Sequence, residues 1–364
     1  MNPHVTPPQE TTQSLDLLDD DRRHTLNQAV RNVLNTEVAE HTYAQILDGL
    51  PTEKSLTDSF PYFKDRPVYA INHVEICPGY IERAREFRKE FNLSQLQFEP
   101  KTLTKFQDAD SGSYEYNLRL IELVVVACHQ IGAYLFELDD GAHKHEYYQD
   151  WRDKVLEEKK NGVESRKYYK PPPIAFSHRS YRSFQQYPRG FADVAGYWAE
   201  SKIFGGVVVF DRGESELECK SMWIHGDLVK GPKTLYPPSK EQFDALLNFF
   251  TSPKSEDSSY PFPIHGTRTN RPRWHPYHAF AHHHIFRDRF ERKLPSRPPQ
   301  PGCVESGVDW PELEDQQILM LANFTTSQGD SYNSEDEVAA AKERIRNITP
   351  SSPLWGSFGN SNTF

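Results

Sequence analysis

Cysteine is scarce: only Cys77, Cys128, Cys219 and Cys303 occur, and no two of them stand in a CxxC or zinc-ribbon spacing. A disulfide framework is disfavoured, and all four thiols are expected to be reduced. Neither GxGxxG nor GxxxxGK is present, so the common NAD and ATP enzymes lose their phosphate-binding fingerprints. The nucleophile elbow GxSxG and the zinc-protease pattern HExxH are missing as well. An excess of positive charge is also lacking. Asp and Glu outnumber Lys and Arg by 52 to 42, a formal charge of -10, which disfavours a nucleic-acid binder of the usual basic kind.

Long uninterrupted apolar runs are absent too. The most apolar stretch, Leu118 to Leu138, carries Arg119, Glu122, His129, Gln130 and Glu137, which are too costly to place in hydrocarbon, so no membrane span is expected. Met1 to Asp21 has neither the basic start nor the apolar run of a secretory or mitochondrial leader, and a cytoplasmic location is the expectation.

What the chain does have is length and aromatic content. Its 364 residues suffice for one large domain or two ordinary ones, and 13% of them are Phe, Tyr or Trp, far from the composition of a disordered chain. Apolar residues from Leu15 to Val38 recur every three or four positions and predict a helix after a disordered tail at 1–13. Pro67 to Ile76 alternates like a strand, and Pro78 suits the first turn of a helix running to Phe91. Tyr114 to Leu138 is the best-defined helix; its five polar residues fall within an arc of roughly 100°. That stripe reads as the solvent-facing edge of a core helix, or alternatively as the lining of a pocket. A charged helix follows from Ala142 to Lys160, with Gly141 ending the one before it.

Residues 161–173 form a Lys-, Tyr- and Pro-rich seam. Beyond it, Lys202 to Phe210 reads as a buried strand, Cys219 to His225 as its antiparallel partner, and Tyr260 to His265 as a third strand. Gly205 and Gly206 mark a bulge or close packing. Ser239 with Gln242, and Ser334 with Glu337, spell capping boxes that open two helices. Pro295 to Pro301 is a connector, Gln316 to Ala322 a small helix, and 350–364 a second tail; no internal repeat occurs. The fold class is therefore α+β. A helical region at 14–160 precedes an α+β region at 174–294 with a hairpin and helix, and a proline-rich connector with helices occupies 295–349.

Chemical signals are few. In WHPYHAFAHHHIF, His278 and His282 stand four apart on one face if helical, a spacing that can bind a metal, yet Ala279 occupies the place of the catalytic Glu of HExxH. A second cluster, Asp139, Asp140, His143, His145 and Glu146, admits a metal or acid/base site, or the plainer role of Asp140 as a helix cap. Cys128 lies in an apolar stretch where thiols are inert. No cofactor and no stoichiometric zinc or iron are expected. A ligand surface is expected near the turn at Asp211 and Arg212 together with Arg287, Asp288, Arg289 and Arg292, whose guanidinium groups suit a carboxylate or phosphate. The alternative is a structural clamp in which Asp211 and Arg212 pair with Arg289 and with Asp288 or Glu291.

The block YPRGFADVAGYWAESKIFGGVVVFDRGES, from Tyr187 to Ser215, followed by HIFRDRFERKLP from His284, resembles a block recurring in a group of uncharacterised filamentous-fungal proteins. The resemblance covers about the middle third of the chain. It implies a fungal cytosolic protein, an accessory to specialised metabolism, and carries over no catalytic residue. Two functions stay open: a non-catalytic accessory or binding protein with a small-molecule or protein partner, and an unusual, metal-assisted enzyme acting on a small anionic metabolite.

Overall fold

Along the described residues of the computed structural model, 15–60, 64–166, 168–215, 217–252, 260–288, 291, 307–322, 324 and 332–355, helices dominate. They are α1 (Asp20–Leu34), α2 (Glu37–Asp48), α3 (Glu53–Ser59), α4 (Pro67–Ala70), α5 (Tyr80–Glu90), α6 (Pro100–Asp108), α7 (Tyr114–Leu138), α8 (His145–Lys160) and α9 (Phe191–Phe204). Strands β1 (Val207–Asp211), β2 (Met222–His225) and β3 (Leu235–Tyr236) come next, then α10 (Lys240–Thr251), α11 (Pro276–His283), β4 (Ile285–Phe286), α12 (Glu312–Leu321) and α13 (Glu335–Arg346). The fold class is α+β, with the sheet confined to the C-terminal part.

α7 starts where the Ser113 hydroxyl accepts the Tyr116 N–H and ends at Asp139, whose backbone turns left-handed. It is the one described helix long and apolar enough to cross a membrane, but 83% of its most apolar window is buried by the protein itself. α9 lies along it more extensively than any other pair of elements. Small residues make that approach possible: a Cβ on Gly196 would sit 2.7 Å from the His129 carbonyl oxygen, and one on Gly132 would sit 2.8 Å from the Ala199 Cβ. α9 is apolar on average and mostly buried, and its polar residues Asp193, Glu200 and Lys202 are partnered within the protein.

The antiparallel sheet has the order β3-β2-β1-β4. Val207 pairs with His225 and Phe210 with Met222 across β1 and β2, Phe210 pairs with Phe286 on β4, and Ile224 pairs with Tyr236 on β3. One apolar core runs from Leu15 to Ile285 and joins helices and sheet, while Ile345, Ile348 and Leu354 make a small satellite. Buried Asn32 ties the two ends of the chain's core together. Its amide donates to the Phe249 and Ser252 carbonyls at the end of α10.

Both capping boxes form as their spacing requires, at Ser239 with Gln242 and at Ser334 with Glu337. Several expectations are corrected. The first helix is two, because Thr36 caps a new start. Pro67 to Ile76 is no strand: Pro67 opens the short α4, and Asn72 with φ of 56° breaks any extended run. The strand expected from Lys202 begins only at Val207, since Lys202 belongs to α9 and Gly205 is its C-cap. Tyr260 to His265 forms no strand; Pro261 and Pro263 lack ladder donors, and β3 and β4 take the sheet edges. Asp140 caps no helix but pairs with Arg83, while Asp139 accepts the His145 N–H. The expected tail at 1–13, the connector Pro295 to Pro301, and Arg289, Arg292 and Cys303 lie outside the described residues.

Candidate functional site

The expectation that the polar stripe of α7 faces solvent is overturned. Arg119, Glu122 and His129 are buried; Gln130 is half-buried and bonds the Gln97 backbone, and only Glu137, paired with Arg189, stays exposed as expected. Their partners come from elements remote in sequence, which helical periodicity cannot reveal. Glu122, His129 and Gln130 of the stripe line a cleft of about 810 Å³. Its lining is mixed: apolar Phe87, Phe91, Leu96, Phe98, Val126 and Tyr134 stand with charged Glu122, His129, Asp193, Arg287, Asp288 and Glu291.

The charged residues form a set of buried ion pairs. Glu122 accepts from Arg119 at 2.9 Å and from Arg212 at 2.7 Å. Arg212 also donates to the Phe286 and Arg287 carbonyls, so the end of β1, α7 and the segment after β4 meet in one guanidinium. Burial raises the Glu122 pKa, but the two arginines outweigh it and hold the carboxyl below its ordinary range. On α9, fully buried Glu200 accepts the Val208 N–H at 2.6 Å and Arg287 Nη1 at 2.7 Å. Desolvation would lower the Arg287 pKa; Glu200, Tyr197 and Glu291 raise it instead. The Tyr197 ring lies 5.1 Å beneath that guanidinium, a cation–π contact.

His129 Nε2 stands 3.1 Å from Asp193 Oδ1, and its Nδ1 is 3.8 Å from Glu200 Oε2. Desolvation opposes the imidazolium, yet the hydrogen bond to Asp193 and the nearby Glu200 carboxylate outweigh it, and the His129 pKa rises above its usual value. Asp193 is held low by the same pair and by the Arg189 N–H at 2.8 Å. Glu291 accepts the backbone N–H groups of Arg287 and Asp288, and Tyr187 donates to its carbonyl. Among the described residues Arg287 makes a single side-chain hydrogen bond, to Glu200, which leaves guanidinium N–H groups for a ligand in the cleft.

Of the residues singled out from sequence, Arg212, Arg287 and Asp288 gather here, with Arg212 buried behind the wall and Asp288 exposed at the rim. Asp211 instead accepts the Gly213 N–H at its own turn. His278 and His282 share a face of α11 with ring centroids 5.5 Å apart. Among the described residues no third ligand joins them; Asp48, His73, Cys77 and His143 assemble elsewhere. Sequence reasoning missed Asp193 and Glu200, which stand on α9 with no motif spacing to the other groups, and named Glu291 only as a clamp partner. Compared with protein-family models, curated proteins and solved structures, the chain matches none.

Proposed function

We propose that this chain is a binding protein for a small amphipathic molecule that has an aromatic or aliphatic body and an anionic head. The observation that carries the reading is the mixed lining of the cleft, apolar at Phe87, Phe91, Phe98 and Val126, with Arg287 keeping guanidinium donors to spare among acidic neighbours. A carboxylate-type head would take the free side of the Arg287 fork. The fungal resemblance would make the ligand a product or intermediate of specialised metabolism.

Calorimetry with 2-naphthoate and with 2-naphthylmethanol tests this. The carboxylate should bind at least about tenfold more tightly, a difference near 1.4 kcal/mol. A Val126→Trp variant, which fills the cleft, should bind neither. Equal affinity for the two probes, or binding untouched by the tryptophan, would sink the proposal.

A further inference from the structure

We propose that Asp48, His73, Cys77 and His143 form a four-ligand site for a zinc-class divalent metal that staples three segments of the helical half together. One donor atom from each lies within 4.8 Å of the others, in a region distinct from the cleft. Cys77 Sγ is 3.5 Å from His143 Nε2, His143 Nε2 is 3.8 Å from Asp48 Oδ1, and His73 Nε2 is 3.0 Å from Asp48 Oδ2. Tetrahedral zinc with bonds of about 2.0–2.3 Å sets its ligands roughly 3.5 Å apart, so modest side-chain movement completes the shell. Two imidazoles, a thiolate and a carboxylate are a borderline donor set that suits zinc and not magnesium or calcium.

Two further observations point to a cation. Asp48 is fully buried at the end of α2; its Oδ2 takes the Cys77 N–H and His73, but its buried Oδ1 has no hydrogen-bond donor. Such an oxygen is costly unless something positive meets it. His73 Nδ1 is 3.0 Å from the Pro51 carbonyl, which only an Nδ1–H can satisfy. In neutral His73 the Nε2 lone pair would then face the Asp48 carboxylate, an arrangement that needs a cation between them or a second proton.

The backbone holds the donors in place without the metal. The His143 N–H bonds the Asp48 carbonyl at 2.9 Å, and the loop can press this closely because residue 49 is Gly: at its φ of 101° a Cβ would lie 1.6 Å from the His143 oxygen. The left-handed Asn72 turns the chain so that the His73 carbonyl accepts the Glu53 N–H. His73, Cys77 and His143 also border an open groove beside Ile71, Val74 and Tyr147, which gives an ion its way in. With four protein ligands the shell is closed, the mark of a structural and not a catalytic ion.

The test uses the full chain, produced with zinc and dialysed without chelator. Elemental analysis should find about one zinc per chain. Exchange with cobalt(II) should give the thiolate-to-cobalt band in the near ultraviolet and the intense visible bands of tetrahedral cobalt. Cys77→Ser should lose the near-ultraviolet band, and a His278→Ala, His282→Ala double variant should keep it. Wild-type protein titrated with cobalt needs no variant to fold, so the absence of any thiolate band there would overturn the proposal. Loss of the metal in the His278, His282 double variant would overturn it equally.

Discussion

Arg212 Nη2 lies 2.7 Å from Glu122 Oε1, a buried contact between residues 90 positions apart that fastens the end of β1 to the middle of α7. The same guanidinium holds the Phe286 and Arg287 carbonyls, so it also fixes the segment that carries Arg287 into the cleft. Arg212 is thus a clamp whose partner is Glu122 on the core helix.

Removing one member of that pair leaves the other charge buried. Arg212→Ala should lower stability by about 3–5 kcal/mol, measured as the urea midpoint. Glu122 has a folded-state pKa below its ordinary 4.5, so its stabilisation is complete above that value and is lost as pH falls through the lower folded one. In Arg212→Ala this protection weakens, and acid unfolding should begin at higher pH than in wild type. An unchanged urea midpoint would mean that the pair contributes nothing to the fold.

His129 gives the opposite sign. It is flanked by Asp193 and Glu200 on α9 and by Arg287, and its folded-state pKa is raised above 6.5. Its contribution is complete below pH 6.5 and is lost as pH rises through the folded value. Wild type should therefore lose stability relative to His129→Gln as pH is raised from about 6 to 9. Parallel curves for the two proteins across that range would remove His129 from the linkage.

Local structure was legible where local chemistry dictates it. Ser239 and Ser334 mark helix starts by their capping-box spacing, and the apolar run expected as a strand from Lys202 is one from Val207 onward. The class of fold followed from those elements. The cleft was only half visible: its α7 stripe stood out by angle, but whether that face met water or protein depended on Asp193, Arg189 and Arg212, which no spacing connects to it. The metal cluster was less visible still. His73 and Cys77 are four residues apart, yet Asp48 and His143 come from distant turns and reach them only through tertiary packing. The strand expected at Pro67 failed for a local reason, since a proline that suits a helix start outweighed an imperfect alternation.

The last prediction separates the structural duty of Arg287 from its proposed role in binding. Arg287 pairs with Glu200, so a single Arg287→Ala change would strand a buried carboxylate and confuse lost folding with lost affinity. Changing both to glutamine removes the charges together. Gln at position 200 keeps an oxygen to accept the Val208 N–H, and its amide can meet the amide at 287 in place of the salt bridge. The Glu200→Gln, Arg287→Gln protein should therefore unfold within about 1–2 kcal/mol of wild type, because a hydrogen-bonded neutral pair avoids the cost of burying charge. The cationic fork is gone, however. Affinity for 2-naphthoate should fall about tenfold while that for 2-naphthylmethanol stays the same, which calorimetry on both proteins would read directly. If the double variant binds the carboxylate as tightly as wild type does, Arg287 serves the fold alone and the anionic head group must be given up.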